Sequence, residues 1–266
     1  MMRITMVGCG AIGAAVLKAL SGAAKARITT VVVRDSGVER ALAALRAAAS
    51  DATISASVPL KDTDLVLEVA GHSAVESHVL PALQSGIPAI IVSVGSLSSN
   101  DLAARLEAAA QAGNTQIELI SGAIGAIDAL NAASLAGLSE VHYTARKPPL
   151  AWKGTPADLV CDLSALAEKR VIFRGTAREA ASMYPKNANV AAAISLAGIG
   201  LDRTSVELVA DPGTTENFHR LQATGVFGNL DLTMQNKALP DNPKTSVLTV
   251  FSAVRAVLRR VQPTVI

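Results

Sequence analysis

The 266-residue chain contains only seven aromatic residues, two cysteines and four histidines. So few rings leave little surface on which unstacked bases could lie, and nucleic acid is not expected as a partner. Charge of either sign is not in excess: 24 Lys and Arg against 22 Asp and Glu give a formal net charge of +2. No broad field therefore draws the chain to nucleic acid or to an anionic membrane. Cys9 and Cys161 are too few for a disulfide framework, and with no paired CxxC spacing a metal site is not expected either. A reducing cytoplasm fits this cysteine usage. Long apolar runs are also missing. The longest uncharged one, "VAAAISLAGIGL" at 190–201, is too short to span a bilayer, so no membrane partner is expected. The N-terminus imitates a secretory signal, with Arg3, an apolar stretch and small residues near "SGAAKA", but Lys18 and three glycines interrupt the apolar segment. Internal repeats, low-complexity tracts and long charge runs are absent.

What the chain does have is apolar residues, 50% of the total, enough to bury the core of one large domain or two small ones. From the start to about residue 120, short β-branched runs ("RITMV", "ITTVVV", "LVLEVA", "AIIVSV", "IELIS") alternate with alanine-rich stretches near 11–23, 38–49, 74–85 and 100–112. That alternation predicts a parallel sheet covered by helices. After "SGAIGAIDAL" the texture changes to longer alternating runs, "EVHYTARK", "SVELVA", "FHRLQAT" and "LDLTMQN". These predict a second, α+β domain with a mixed or antiparallel sheet exposed on one face. The final stretch, "NPKTSVLTVFSAVRAVLRRV", starts with turn residues and continues as a helix with arginines near its negative end. The expected division is 1–122 with 243–266 as one domain and 123–242 as the other.

The glycine pattern Gly8, Gly10, Gly13 follows the first strand directly and opens the first helix. A GxGxxG motif alone is weak, but in a strand–helix–strand unit it marks a dinucleotide site of the Rossmann type. Gly8 would permit the tight turn and Gly10 would let backbone approach a pyrophosphate. Gly13 would let helix and strand pack closely, with Ala11 and Ile12 presenting free N–H groups at the helix start. Cys9 inside the loop reads as a small packed residue. The second strand ends in "VVVRD", offering Arg34 and Asp35 where a carboxylate would select a ribose hydroxyl and an arginine a 2′-phosphate. Acceptance of NADP as well as NAD is therefore expected, with Arg34 responsible.

Ligands of open parallel sheets bind beyond the carboxyl ends of the strands. Ala70, Gly71 and His72 in "EVAGHS" occupy such a position, although His72 also reads as an ordinary helix-start residue. Gly122 and Ala123 in "SGAIG" occupy another, or simply make a tight crossing between domains. Among the histidines, His78 reads as surface and His142 as sheet packing. His219 lies on an alternating strand as a candidate acid/base. In "MYPKNANVAAAISLAG", Lys186, Asn187 and Asn189 either cap a helix or offer charge and amide groups to a ligand.

Together "GCGAIG", "SGAIGAIDAL", "TARKPP", "YPKNANVAAA" and "ENFH", in that order over most of the chain, resemble the L-aspartate dehydrogenases. "KNANVAA" followed by "NFH" is the more specific part. The resemblance implies a two-domain enzyme oxidising L-aspartate through iminoaspartate to oxaloacetate and ammonia, with iminoaspartate also able to feed NAD synthesis. It also implies that His219 is the acid/base and that Ala123 and Asn189 contact the cofactor. For the two substrate carboxylates that the resemblance implies, Lys186, Asn187 and Thr155 are the candidate donors. The strand end "VVRD" departs from the pattern, in which an acid before the arginine is more usual. Two other readings remain open: a related reductase or hydroxyl dehydrogenase, for which His72 with Lys147 would be candidates, and a non-catalytic dinucleotide sensor. A homodimer is expected, because exposed strands of the second domain can pair between subunits.

Overall fold

The computed structural model describes residues 1–185 and 187–265. The chain divides into unit 1, Met1–Ile120 with the stretch from Val250 onward, and unit 2, Ser121–Thr249. In unit 1, strands β1 (Met2–Val7), β2 (Ala26–Val32), β3 (Thr53–Ser55), β4 (Leu65–Glu68), β5 (Ala89–Ile91) and β6 (Ile117–Leu119) form one sheet. Their order is β3-β2-β1-β4-β5-β6 and every pairing is parallel. Helices α1 (Ala11–Leu20), α2 (Val38–Ala47), α3 (His72–Ala74), α4 (Leu80–Gln84) and α5 (Asn100–Ala112) connect the strands. A single π-helical turn, Val75–Val79, joins α3 to α4. Strand β4 is buried at all four positions, as the centre of a doubly covered parallel sheet must be. Val66, Ile91, Val79, Leu83 and Leu106 close one side of it.

Unit 2 is built from α6 (Ile127–Ala136), β7 (Leu138–Lys147), α7 (Ala157–Val160), β8 (Arg170–Thr176), α8 (Ala177–Met183), α9 (Asn189–Ala197), β9 (Ser205–Ala210), β10 (Asn217–Gly225) and β11 (Gly228–Asn236). Its sheet runs β11-β10-β7-β9-β8 and is mixed: β7 and β9 are parallel, and the other pairs are antiparallel. A two-stranded ribbon follows, β12 (Ala238–Leu239) with β13 (Asn242–Ser246), and then α10 (Val247–Arg259). In α10 the buried residues Val250, Ala253, Val254 and Val257 recur at helical spacing. Arg259 and Arg260 pair with Glu118 of β6.

The fold class is the one the sequence predicts, a parallel α/β domain with a second mixed-sheet α+β domain. Three features differ from expectation. Strand β3 is only three residues long and half-exposed, too short to show a period. β8 has arginines among its apolar residues. "NPKTS", expected as turn, is strand β13, where Pro243 is tolerated because a two-stranded ribbon leaves one edge unpaired. Among the described residues, no helix is long and apolar enough to cross a membrane.

Glu68 fixes the carboxyl edge of the unit 1 sheet. It is fully buried at the end of β4, and its carboxylate accepts from the Ala70 and Gly71 N–H groups at 2.7 and 2.8 Å. It also accepts from the Ser93 N–H and hydroxyl at 3.0 and 2.9 Å. One side chain thus ties the loop after β4 to the loop after β5. Burial pushes its pKa up, while those four hydrogen bonds oppose the rise. Glu68→Ala strands three backbone donors in a buried setting and is expected to cost about 3 kcal/mol or more. Ser93→Ala, which removes one hydroxyl, should cost about 1 kcal/mol. Urea unfolding of the two variants checks this, and equal losses would contradict the anchoring role.

Candidate active site

The glycine loop stands at the carboxyl end of β1. Gly8 has φ +99°, and a Cβ there would lie 2.6 Å from the Cα of Ala70, so only glycine lets the two loops touch. Gly10 is the N-cap of α1 without a side-chain cap, and a Cβ on it would meet nothing within 4 Å. The helix start, Ala11, Ile12 and Gly13, therefore remains open to an anion approaching its unsatisfied N–H groups. A cavity of about 380 Å³ adjoins this loop, lined by Gly8, Gly10, Arg34, Arg40, Ala70 and His78 among others. β2 ends at Val32; Arg34 and Arg40, both exposed, reach the cavity, whereas Asp35 is not among its lining residues. A turn that only glycine fits, an uncapped helix start and two arginines suit the phosphates of a dinucleotide.

One histidine sits otherwise than expected. His78, read as surface, is half-buried in the wall of this cavity, and burial lowers its pKa. The π-turn that carries it rotates the helix face, which a 3.6-residue period does not anticipate. His72 is the first residue of α3 and lines a separate depression with Ser96, Asp101 and Arg105. Gly71, at φ +125°, is the N-cap of that helix and is held by Glu68. Cys9 is a buried thiol whose pKa burial raises. Arg40 and Glu68 carry no motif; a carboxylate inside the apolar run "LVLEVA" was the available signal for the second.

In unit 2 the centre is His219, which retains 1% of its surface. Strand pairing sets it opposite Ala145 of β7. Side chains alternate, so Tyr143 and Lys147 flank that small alanine on the buried face. The Tyr143 hydroxyl meets the imidazole Nδ1 at 2.6 Å, and the rings stack with centroids 6.0 Å apart. Among the described residues Nε2 meets only the Ser246 hydroxyl, at 3.4 Å. Burial raises the Tyr143 pKa well above its ordinary range, so the phenol keeps its proton. Its described acceptor is Nδ1, which favours the tautomer with the hydrogen on Nε2. Burial first, and the Lys147 charge second, hold the imidazole well below its usual pKa, leaving it neutral at pH 7.

Asn217 donates to the Ser246 hydroxyl at 3.4 Å, while its own Oδ1 has no partner among the described residues. Lys147 is 3% exposed. Its ammonium donates to the Lys244 carbonyl at 3.2 Å and lies 5.6 Å from the Trp152 ring centroid. Burial, with a smaller push from Lys244, brings its pKa down to about 8.

The remaining candidates in this unit have local partners. The Ala123 carbonyl accepts from the Asn236 amide at 2.8 Å. Asn187 is buried, donating to the Ala151 carbonyl at 3.3 Å, and its Oδ1 is without a partner among the described residues. Asn189 is the first residue of α9, but the N-cap is Ala188 with no side-chain cap, so the expected asparagine cap is not formed. The Thr155 hydroxyl donates to the Trp152 carbonyl at 2.5 Å and accepts weakly from the Ala157 N–H, a turn-closing role. His142 spends both ring nitrogens on Ser205 and Thr144. Lys186 lies outside the described residues. Among those residues, no cluster of three or more His, Cys, Asp or Glu is placed to hold a metal.

A glycine-loop parallel sheet followed by a mixed-sheet unit that buries a neutral imidazole is the build of two-domain dinucleotide-dependent oxidoreductases. Comparison with known proteins narrows that class. Residues 8–119 match the family model "Homoserine dehydrogenase, NAD binding domain" and residues 128–260 match "Aspartate dehydrogenase, C-terminal". The L-aspartate dehydrogenase of Pseudomonas aeruginosa is 57% identical over 259 residues, covering 96% of both chains. That of Cupriavidus necator is 54% identical over 260 residues, covering 98% of both. The chain belongs to the L-aspartate dehydrogenase family. The crystal structure of aspartate dehydrogenase from Thermotoga maritima superposes with a TM-score of 0.76 at 25% identity, covering 100% of this chain and 99% of that one. An archaeal homoserine dehydrogenase shares the fold, with a TM-score of 0.59 at 12% identity.

The buried ammonium has a pH signature. An unfolded lysine keeps its ordinary pKa near 10.5 while the folded one titrates near 8. Between those values the unfolded chain binds the proton that the folded chain has lost, so Lys147 makes stability rise with pH across that window. Below it, the cost of burying the charge is fully present. Lys147→Met should therefore be more stable than the parent at pH 7, by at most about 3 kcal/mol, with the advantage fading towards pH 10. Urea unfolding at the two pH values measures it, and a difference that does not change with pH would contradict the assignment.

Proposed function

We propose that the chain oxidises L-aspartate at its α-carbon to iminoaspartate, which is hydrated to oxaloacetate and ammonia. NAD and NADP both serve as cofactor. The observation that carries this reading is the setting of His219: a buried imidazole, gripped firmly at Nδ1 and only loosely at Nε2, whose burial disfavours the charged form. When bound, the nicotinamide ring supplies the acceptor for the hydride leaving the α-carbon.

The chain's residues then have three tasks. The loop amides from Gly8 to Gly13 hold the pyrophosphate. Arg34, with Arg40 beside it, receives a 2′-phosphate when one is present, and Asp35 outside the cavity gives no strong preference for a bare ribose. His219 handles the protons. In the resting tautomer Nε2–H donates to a substrate oxygen or nitrogen, in place of the long bond to Ser246. In the other tautomer Nδ1–H donates to Tyr143 and Nε2 takes the proton of the water that adds to the imine. The imidazolium so formed returns that proton to departing ammonia. Reaching the second tautomer leaves the phenol hydrogen without its acceptor, a cost of about 1–3 kcal/mol. The contacts of Ala70, Gly71, His72, Ala123 and Asn189 with the cofactor, and of Asn187, Thr155 and Lys186 with substrate, belong to the same proposal. So does a homodimer formed through β11, one of the two edge strands of its sheet. Iminoaspartate released before hydration would be available to pyridine-nucleotide synthesis.

Mixing the purified protein with L-aspartate and either oxidised cofactor, and following absorbance of the reduced nicotinamide, tests the reading. Reduction is expected with both, and His219→Ala should lower kcat by about 10²–10⁴-fold. Arg34→Ala should weaken kcat/KM for NADP by about 10–100-fold, in line with one lost charge-assisted hydrogen bond, and spare NAD. No reduction with either cofactor would refute the activity, and an active His219→Ala enzyme would remove the histidine from the mechanism.

A further inference from the structure

The buried lysine of unit 2 has no anionic partner among the described residues. Lys147 is buried, its one hydrogen-bond acceptor is the neutral Lys244 carbonyl, and no carboxylate pairs with it among the described residues. The half-buried Lys244 adds a second positive charge nearby, its ammonium bonded to the Lys153 carbonyl at 2.8 Å. A buried ammonium without a counter-charge is costly, and folds keep one where a ligand completes it. The neighbouring polar groups are incomplete in the same way. Among the described residues, Asn217 Oδ1 is fully buried without a partner, and the Ser246 hydroxyl is held only by two contacts of 3.4 Å. Arg146, next along β7, is already committed to Asp211 at 2.7 Å and stacked over Phe218. Lys147 is therefore the cation left over beside the imidazole.

We propose that Lys147 is the residue that binds a carboxylate of the dicarboxylic substrate, fixing the substrate beside His219. The proposal rests on the dehydrogenase reading above and adds a substrate-recognition residue to it. It also assigns the loose hydroxyl of Ser246 and the vacant acceptor of Asn217 to the same substrate as secondary contacts. Thr155, whose hydroxyl closes its own turn, is then not needed for the carboxylate.

The chain provides its own reporter. Trp152 is the only tryptophan, and its ring centroid is 5.6 Å from the Lys147 ammonium. Titrating the full-length protein with succinate, an unreactive dicarboxylate, should change tryptophan emission saturably, whereas succinamide, its uncharged diamide, should not. Lys147→Met should abolish the succinate response and raise KM for L-aspartate at least 30-fold, leaving KM for the dinucleotide within twofold. The unchanged dinucleotide KM, together with the stability expected of this variant, separates lost recognition from lost folding. Lys25→Met, an exposed cation removed elsewhere, should behave as the parent. An unaltered succinate response or an unaltered L-aspartate KM in Lys147→Met overturns the proposal, as does a parent protein without a saturable response. If succinate binds through Lys147 but L-aspartate reduces neither cofactor, the oxidation reading fails while the carboxylate site stands.

Discussion

Among the described residues, each unit buries one Asp, Glu, Lys or Arg side chain that has no ion-pair partner, Glu68 and Lys147, and the two are treated oppositely. Glu68 in unit 1 is surrounded by donors, three backbone N–H groups and a hydroxyl, so the protein itself completes it. Its energy goes into holding two loops at the carboxyl edge of the parallel sheet, one of which touches Gly8. Lys147 in unit 2 has one carbonyl and an aromatic face. What a folded chain leaves uncompensated, a ligand can supply, and this contrast is what motivates the role proposed for Lys147.

The sheet of unit 2 brings the proposed functional groups together by simple register. Ala145 opposite His219 leaves room for an imidazole, and the two-residue period delivers Tyr143 to one side and Lys147 to the other. The tyrosine fixes the ring through a short bond, and burial, with the lysine charge adding to it, disfavours its protonation. A ring held neutral at physiological pH suits a step in which a proton is first taken and later returned. In unit 1, the chemistry is that of backbone: a glycine turn and an open helix start, with arginines at the rim of the cavity.

Much of this was legible in the sequence, for reasons that differ by element. The parallel sheet announced itself through β-branched runs spaced by alanine-rich helices, and the glycine loop through its position between strand and helix. His219 was visible because alternation along "NFHRLQAT" puts it on the buried face. Less legible were features that depend on contacts distant in sequence. Glu68 finds Ser93 25 residues away, and Tyr143 meets His219 76 residues away. His78 changes face because of a π-turn. Thr155 offers a hydroxyl, but the Trp152 carbonyl and the Ala157 N–H already use it. Lys147 was visible in "TARKPP" only as one lysine among many, since nothing in the string says that it is buried without an acid.

The claim that an uncompensated ammonium waits beside His219 is tested most directly by the titration of that one group. With the lysine side chains labelled with ¹³C at the ε-carbon and Lys147 assigned by its loss in Lys147→Met, nuclear magnetic resonance reads its protonation against pH. The expected pKa is about 8 in the free protein, rising when succinate is added because a carboxylate favours the charged form. A lysine that titrates at its ordinary value, or one indifferent to succinate, would contradict the account.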